Sequence, residues 1–115
     1  MIGPLSAVRL FVHDLDAARA FYEGLGLPLE DVGGALVGRS GTVDVVIESD
    51  DGEHDGLSGR FAGLSFAVED AARVHADLTA QGVDLLGPPE RQPWGAVLLH
   101  LRDPSGNVLT LVQAP

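Results

Sequence analysis

Trp94–Gln113 reads WGAVLLHLRDPSGNVLTLVQ, and two apolar runs within it, Ala96–Arg102 and Val108–Gln113, flank Asp103-Pro104-Ser105-Gly106-Asn107. That linker has hairpin chemistry. Asp closes a turn on its own backbone, Pro presets φ, and Gly106 and Asn107 tolerate positive φ. Both runs alternate, so Val97, Leu99 and Leu101 share one face with Leu109 and Leu111. Those aliphatic faces are expected to lie under helices. The opposite face carries Ala96, Leu98, His100 and Arg102 on one strand, and Val108, Thr110 and Val112 on the other. A site belongs on that mixed face.

Upstream of this hairpin, Phe61–Val68 alternates as a strand, Asp70 caps a helix with Val74 and Leu78 on its inner face, and Gly82 closes it. The first half of the chain has the same order. Leu5–Val12 alternates, with Val8, Leu10 and Val12 on one face and Ala7, Arg9 and Phe11 on the other. Asp14 is the N-cap, and Asp16 suits the positive end of the helix dipole. Ala17, Ala18, Phe21, Tyr22 and Leu25 recur at helical spacing until Gly24 or Gly26 ends the helix. Leu29–Val32 reads as a short strand, Gly33-Gly34 turns into Ala35–Gly38, and Arg39-Ser40-Gly41 turns into Thr42–Ser49. On that last strand Val43, Val45 and Ile47 share one face, while Asp44, Val46 and Glu48 share the other. Asp50–Gly56 is too polar to pack and reads as an exposed linker.

A shift of 56 residues superposes the halves without a gap over their first thirty positions. Val12 falls on Val68, Asp14 on Asp70, Ala20 on Ala76, Gly26 on Gly82 and Leu29 on Leu85. These matches land on a strand end, a helix cap, a helix face and a helix-ending Gly, the points a shared backbone path constrains. The fold class is therefore α+β. One domain spans residues 1–115, built from two βαβββ modules at residues 1–56 and 57–115.

Composition narrows the function. The 115 residues carry a formal charge of −10, no Cys, and seven basic residues that are all Arg. Thiolate nucleophiles, thiolate metal sites and lysine Schiff bases are excluded. The charge argues against a nucleic-acid partner, which needs clustered cations, and suits a cationic ligand. No apolar run reaches membrane-spanning length and no basic-then-apolar leader opens the chain, so a cytoplasmic protein with no membrane partner is expected. Gly24-Leu25-Gly26 ends a helix rather than opening one, which removes a dinucleotide fingerprint. No G-x-S-x-G nucleophile turn occurs.

LFVHDLDAARAFYEGLGLPL (residues 10–29), with Trp94-Gly95 and RDPSGNVLTL (102–111), resembles the vicinal oxygen chelate superfamily, which contains glyoxalase I, extradiol dioxygenases and bleomycin-resistance proteins. The resemblance implies that the two modules form a half-open eight-stranded barrel with a concave ligand groove. It also implies a homodimer. Metal-dependent members place His, Glu or Gln at one concave position of each outer strand. Here those positions are Ala7, Gly63 and Thr110, with Val46 or Glu48 on the fourth strand. Ala, Gly and Val have no donor atom, and a lone Thr hydroxyl is a poor ligand for a divalent ion. No cofactor is expected; a displaced divalent metal on His100, Asp44 and Glu48 is the alternative. His13, His54 and His75 are scattered and read as junction or surface residues.

The expected groove lining is Arg9, Phe11, Asp44, Glu48, Ser65, Leu98, His100 and Thr110, with Trp94 at the mouth. An aromatic surface with a few charged groups describes a small-molecule pocket. Arg9 beside Glu48 or Asp44 is either an internal salt bridge or a ligand contact. His100 is a proton acceptor, a donor to ligand, or a lining residue bonded to Thr110. Two functions follow. The first is a metal-free small-molecule binding protein like the drug-sequestering branch, holding an aromatic or cationic metabolite or antibiotic. The second is a lyase, isomerase or dioxygenase-like enzyme using a displaced metal or His100/Glu48 acid–base chemistry.

Overall fold

The structure is a computed structural model that describes residues 1–50 and 57–115. The acidic linker expected over Asp50–Gly56 lies, Asp50 apart, outside them, as does His54. The chain forms two compact units, Met1–Gly59 and Arg60–Pro115. Among the described residues no helix is long and apolar enough to cross a membrane.

Module one runs β1 (Ala7–Val12), α1 (Leu15–Gly24), β2 (Glu30–Val32), β3 (Ala35–Ser40) and β4 (Val43–Ser49). Its sheet has the order β1-β4-β3-β2, with β1 parallel to β4 and the other pairs antiparallel. The helix serves as the crossover that parallel pairing requires. Leu10, Val12, Leu36, Val45 and Ile47 are buried on the face that α1 covers with Ala18 and Tyr22. The alternation read from the sequence sets this side.

The third strand is longer than its sequence suggested. Arg39 and Ser40, expected in a turn, continue β3, and the turn is confined to Gly41-Thr42. Gly38 is a packing residue, not the end of a strand. A Cβ there would lie 2.9 Å from Leu27 Cγ and 3.0 Å from Leu29 Cδ2. Only a side chain of one hydrogen lets those leucines close over the sheet.

Module two runs β5 (Phe61–Val68), α2 (Ala71–Ala80), β6 (Asp84–Leu85), β7 (Glu90–Arg91), β8 (Val97–Arg102) and β9 (Val108–Gln113). Strand β5 pairs parallel with β9, and β9 with β8 antiparallel. The edge strand, to which the sequence reading gave no range, is split. Strands β6 and β7 both pair with β8, at Leu85↔Leu101 and Glu90↔Leu98, and Gly87-Pro88-Pro89 lies between them. Proline has no N–H to donate, so the ladder breaks there. Leu99, Leu101, Leu109 and Leu111 are buried, as the hairpin's alternation requires.

Both helices begin and end alike. The Asp14 carboxylate accepts the N–H groups of Asp16 and Ala17, and the Asp70 carboxylate that of Arg73. At the far ends Leu27 N–H donates to Tyr22 O and Gly26 N–H to Glu23 O. Val83 N–H likewise donates to Leu78 O, and Gly82 N–H to Thr79 O. Gly26 and Gly82 have φ of 102° and 77°. This is the Schellman termination, and it occurs twice, 56 residues apart.

The Asp103–Asn107 turn is the most heavily bonded loop described. The carboxylate of Asp103, only 4% exposed, accepts from Ser105 N, Asn107 N and Asn107 Nδ2 at 2.9–3.0 Å. Asn107 Oδ1 accepts from Arg60 N at 3.4 Å, tying the turn to the residue just before β5. The turn chemistry predicted for this stretch is therefore also a buried polar core for module two.

Candidate functional site

In module one the parity of the strands places Ala7, Arg9 and Phe11 of β1 on the helix-free face. They share it with Asp44, Val46 and Glu48 of β4, Val37 and Arg39 of β3, and Glu30 of β2. The register aligns Glu30, Val37, Val46 and Arg9 in one row across four strands, with Arg39, Asp44 and Ala7 in the next. All four residues expected from this half, Arg9, Phe11, Asp44 and Glu48, are thus brought to one surface.

Their charges are mostly spent on one another. Arg9 Nε and Nη2 donate to Glu48 Oε2 at 2.8 and 2.6 Å, and the Arg9 guanidinium lies 5.8 Å from the centre of the Phe11 ring. Arg39 Nη1 is 3.0 Å from Asp44 Oδ1 and also donates to Thr42 O. The open choice for Arg9 resolves to an internal ion pair with Glu48. Arg9 is still 61% exposed, so the pair is screened and contributes little to stability.

Sequence reasoning missed Glu30, Val37 and Arg39. They line, with Pro28 and Asp44, a cleft of about 430 Å³. The signal was present: Ala35-Leu36-Val37-Gly38-Arg39 alternates as the other strands do, but treating Arg39 as a turn residue removed it from the face.

In module two the register aligns Ser65, Thr110 and His100 across β5, β9 and β8, with Leu98 beside Val112 in the adjacent row. Three of the five residues predicted here form a single line. His100 Nδ1 lies 2.9 Å from Thr110 Oγ1. Thr110 is 5% exposed, so it reaches the face through the imidazole, and His100 Nε2 is the atom left for a ligand. Trp94 stands in the turn before β8 and is 66% exposed. Gly95, with φ of 98°, packs there against Pro115, where a Cβ would come within 3.1 Å of the proline ring.

The positions at which a metal would be held do not fit one. In module one Ala7 and Val46 offer no donor, and Glu48, the other candidate on that strand, is held by Arg9. Gly63 sits at an irregularity of β5, where the register against β9 slips between Phe61 and Ser65, and its φ is 72°. A histidine or carboxylate there would need a left-handed backbone that L-residues resist. Thr110 is committed to His100. The displaced set fares no better, since Glu48 is held by Arg9, Asp44 by Arg39 and His100 by Thr110. Among the described residues no three His, Cys, Asp or Glu side chains gather in a metal-binding group.

The profile of the Glyoxalase/Bleomycin resistance protein/Dioxygenase superfamily matches residues 5–111. A bleomycin resistance protein of Klebsiella pneumoniae is 30% identical over 112 residues, covering 88% of this chain and 85% of the relative. The uncharacterized protein YraH of Bacillus subtilis (strain 168) is 29% identical over 123 residues, covering 93% and 95%. A crystal structure of a superfamily member from Sphaerobacter thermophilus DSM 20745 superposes with a TM-score of 0.82 at 26% identity, covering 98% of each chain. With a profile match over nearly the whole length, and two modules of one βαβββ path behind it, the chain belongs to the Glyoxalase/Bleomycin resistance protein/Dioxygenase superfamily.

Proposed function

We propose that this protein is a metal-free binder that sequesters a small aromatic or cationic molecule without altering it. The observation that carries the reading is the chemistry of the four positions where this superfamily's metal-dependent members hold their ion. One is Ala7, one is Val46 or a Glu48 already held by Arg9, one is a left-handed Gly63, and one is a Thr110 already bonded to His100. A divalent ion needs imidazole or carboxylate, and none of these positions has one free to bind it. The acid–base alternative asks Glu48 and His100 to act on substrate, whereas each already has a partner within its own module.

The −10 charge supports a cationic ligand, and the Klebsiella relative's name supports an antibiotic as the first probe. The same proposal includes a homodimer in the cytoplasm. The edge strand β5, with Phe61 67% exposed at its start, supports self-association.

The test is a bleomycin titration of chelator-treated protein, followed through the fluorescence of the single tryptophan, Trp94. Saturable binding is expected without added metal and with bleomycin recovered unchanged. His100→Ala is expected to weaken that binding about three- to tenfold, the worth of one hydrogen bond. Stoichiometric zinc, iron, manganese or nickel in protein purified without chelator, together with turnover of any superfamily substrate, would replace this reading with an enzymatic one.

A further inference from the structure

The helix-free face of module one carries two guanidiniums against three carboxylates. Arg9 is paired with Glu48 and Arg39 with Asp44. Glu30 is left over. No hydrogen bond or ion pair of its carboxylate occurs among the described residues, and it is exposed on β2. Its row neighbour Val37 pairs in turn with Val46. An uncompensated carboxylate thus stands at one end of a row that Val37 and Val46 continue, and it lines, with Val37, Pro28, Arg39 and Asp44, an open cleft of about 430 Å³. That volume falls within the range of small-molecule sites. The two ion pairs matter as much as the free charge. They offset the positive potential that Arg9 and Arg39 would otherwise set against a cation, and they hold both guanidiniums on carboxylates other than Glu30.

Resting on the sequestering role proposed above and sharpening it, we propose that this cleft takes a small organic monocation. Its ammonium or amidinium group sits against Glu30, and its apolar body lies on Val37 and Val46. Glu30 is the specificity-determining residue. The row spacing sets the shape of the ligand: adjacent strands are about 4.8 Å apart, so a cation at Glu30 with its body over the two valines spans roughly 10 Å. A phenylalkyl ammonium of two or three methylenes meets that length.

The experiment is a titration of isotope-labelled full-length protein with phenethylammonium, read from backbone amide shifts, beside phenethyl alcohol and phenylacetate as neutral and anionic probes. Phenethylammonium is expected to shift the amides of Glu30, Val37 and Arg39, with the alcohol much weaker and phenylacetate silent. Glu30→Gln is expected to weaken the ammonium about three- to tenfold. Glu69→Gln, which removes the same charge from an exposed site in module two, is expected to leave it unchanged. Equal binding of alcohol and ammonium, an unaltered affinity in Glu30→Gln, or shifts confined to other residues would each overturn the assignment. A metal-free protein that still binds bleomycin in that event keeps the sequestering role and loses only Glu30. A protein that binds phenethylammonium through Glu30 but not bleomycin keeps the cleft and loses the antibiotic.

Discussion

Tyr22 and Leu78 occupy the same place in two copies of one backbone path, 56 residues apart, and each offers its carbonyl to the same helix-ending bond. Around them the modules differ. Module one buries an aromatic ring on its helix and keeps Leu10 and Val12 of its first strand fully covered. Module two has no aromatic on α2, no fully buried residue on β5, and a core carried by the four leucines of β8 and β9. Their helix-free faces diverge further, one a lattice of charges, the other a line of Ser65, Thr110 and His100. What the modules share is what the path demands, namely caps and left-handed glycines. What they do not share is where chemistry is free to change.

The largest test of this contrast is truncation at the shared position. Tyr22→Ala is expected to cost about 4 kcal/mol and Leu78→Ala about 3 kcal/mol, in proportion to the buried volume lost. Urea denaturation of both variants measures it. Equal costs would mean that the helices carry equal cores despite the missing ring.

The next test compares turns. Asp103→Ala strips the acceptor from three N–H groups of a buried loop and is expected to cost about 3 kcal/mol. Thr42→Ala, in the exposed turn of module one, is expected to stay within about 0.5 kcal/mol. Thermal unfolding of the pair separates a structural turn from a mere connection.

Smaller effects come from the first strands. Gly63→Ala is expected to cost about 1–2 kcal/mol because φ is positive there. Ala7→Gly, at the matching position in module one, is expected to cost about 0.5–1 kcal/mol through chain entropy alone. The caps are of similar size. Removing Asp14, which accepts two N–H groups, is expected to cost about 1 kcal/mol, and removing Asp70, which accepts one, somewhat less. Denaturant midpoints rank all four.

Alternation, two Asp caps and two terminating glycines were enough to place both helices, the outer strands and the sides that α1 and α2 cover. They were local signals, and each acts within a few residues of where it is read. The irregularity at Gly63 was not legible, because strict alternation in Phe61–Val68 gives no hint that β5 slips against β9. Nor was the outer edge of module two, since two-residue ladders carry too little pattern to detect. For the candidate site, the residues of β1 and β4 were found from the alternation of their strands. Val37 and Arg39 alternate too, but Arg39 read as a turn residue and Glu30 lies on a three-residue strand, and their juxtaposition depends on register, which pairing between strands decides.

The interruption at Gly87-Pro88-Pro89 has a consequence outside the site. N–H groups along an edge alternate inward and outward, so the two prolines remove one donor from each side, and an extended segment from another molecule cannot pair along that rim without a break. That rim is thereby a poor template for the edge-to-edge stacking that turns concentrated protein into fibres.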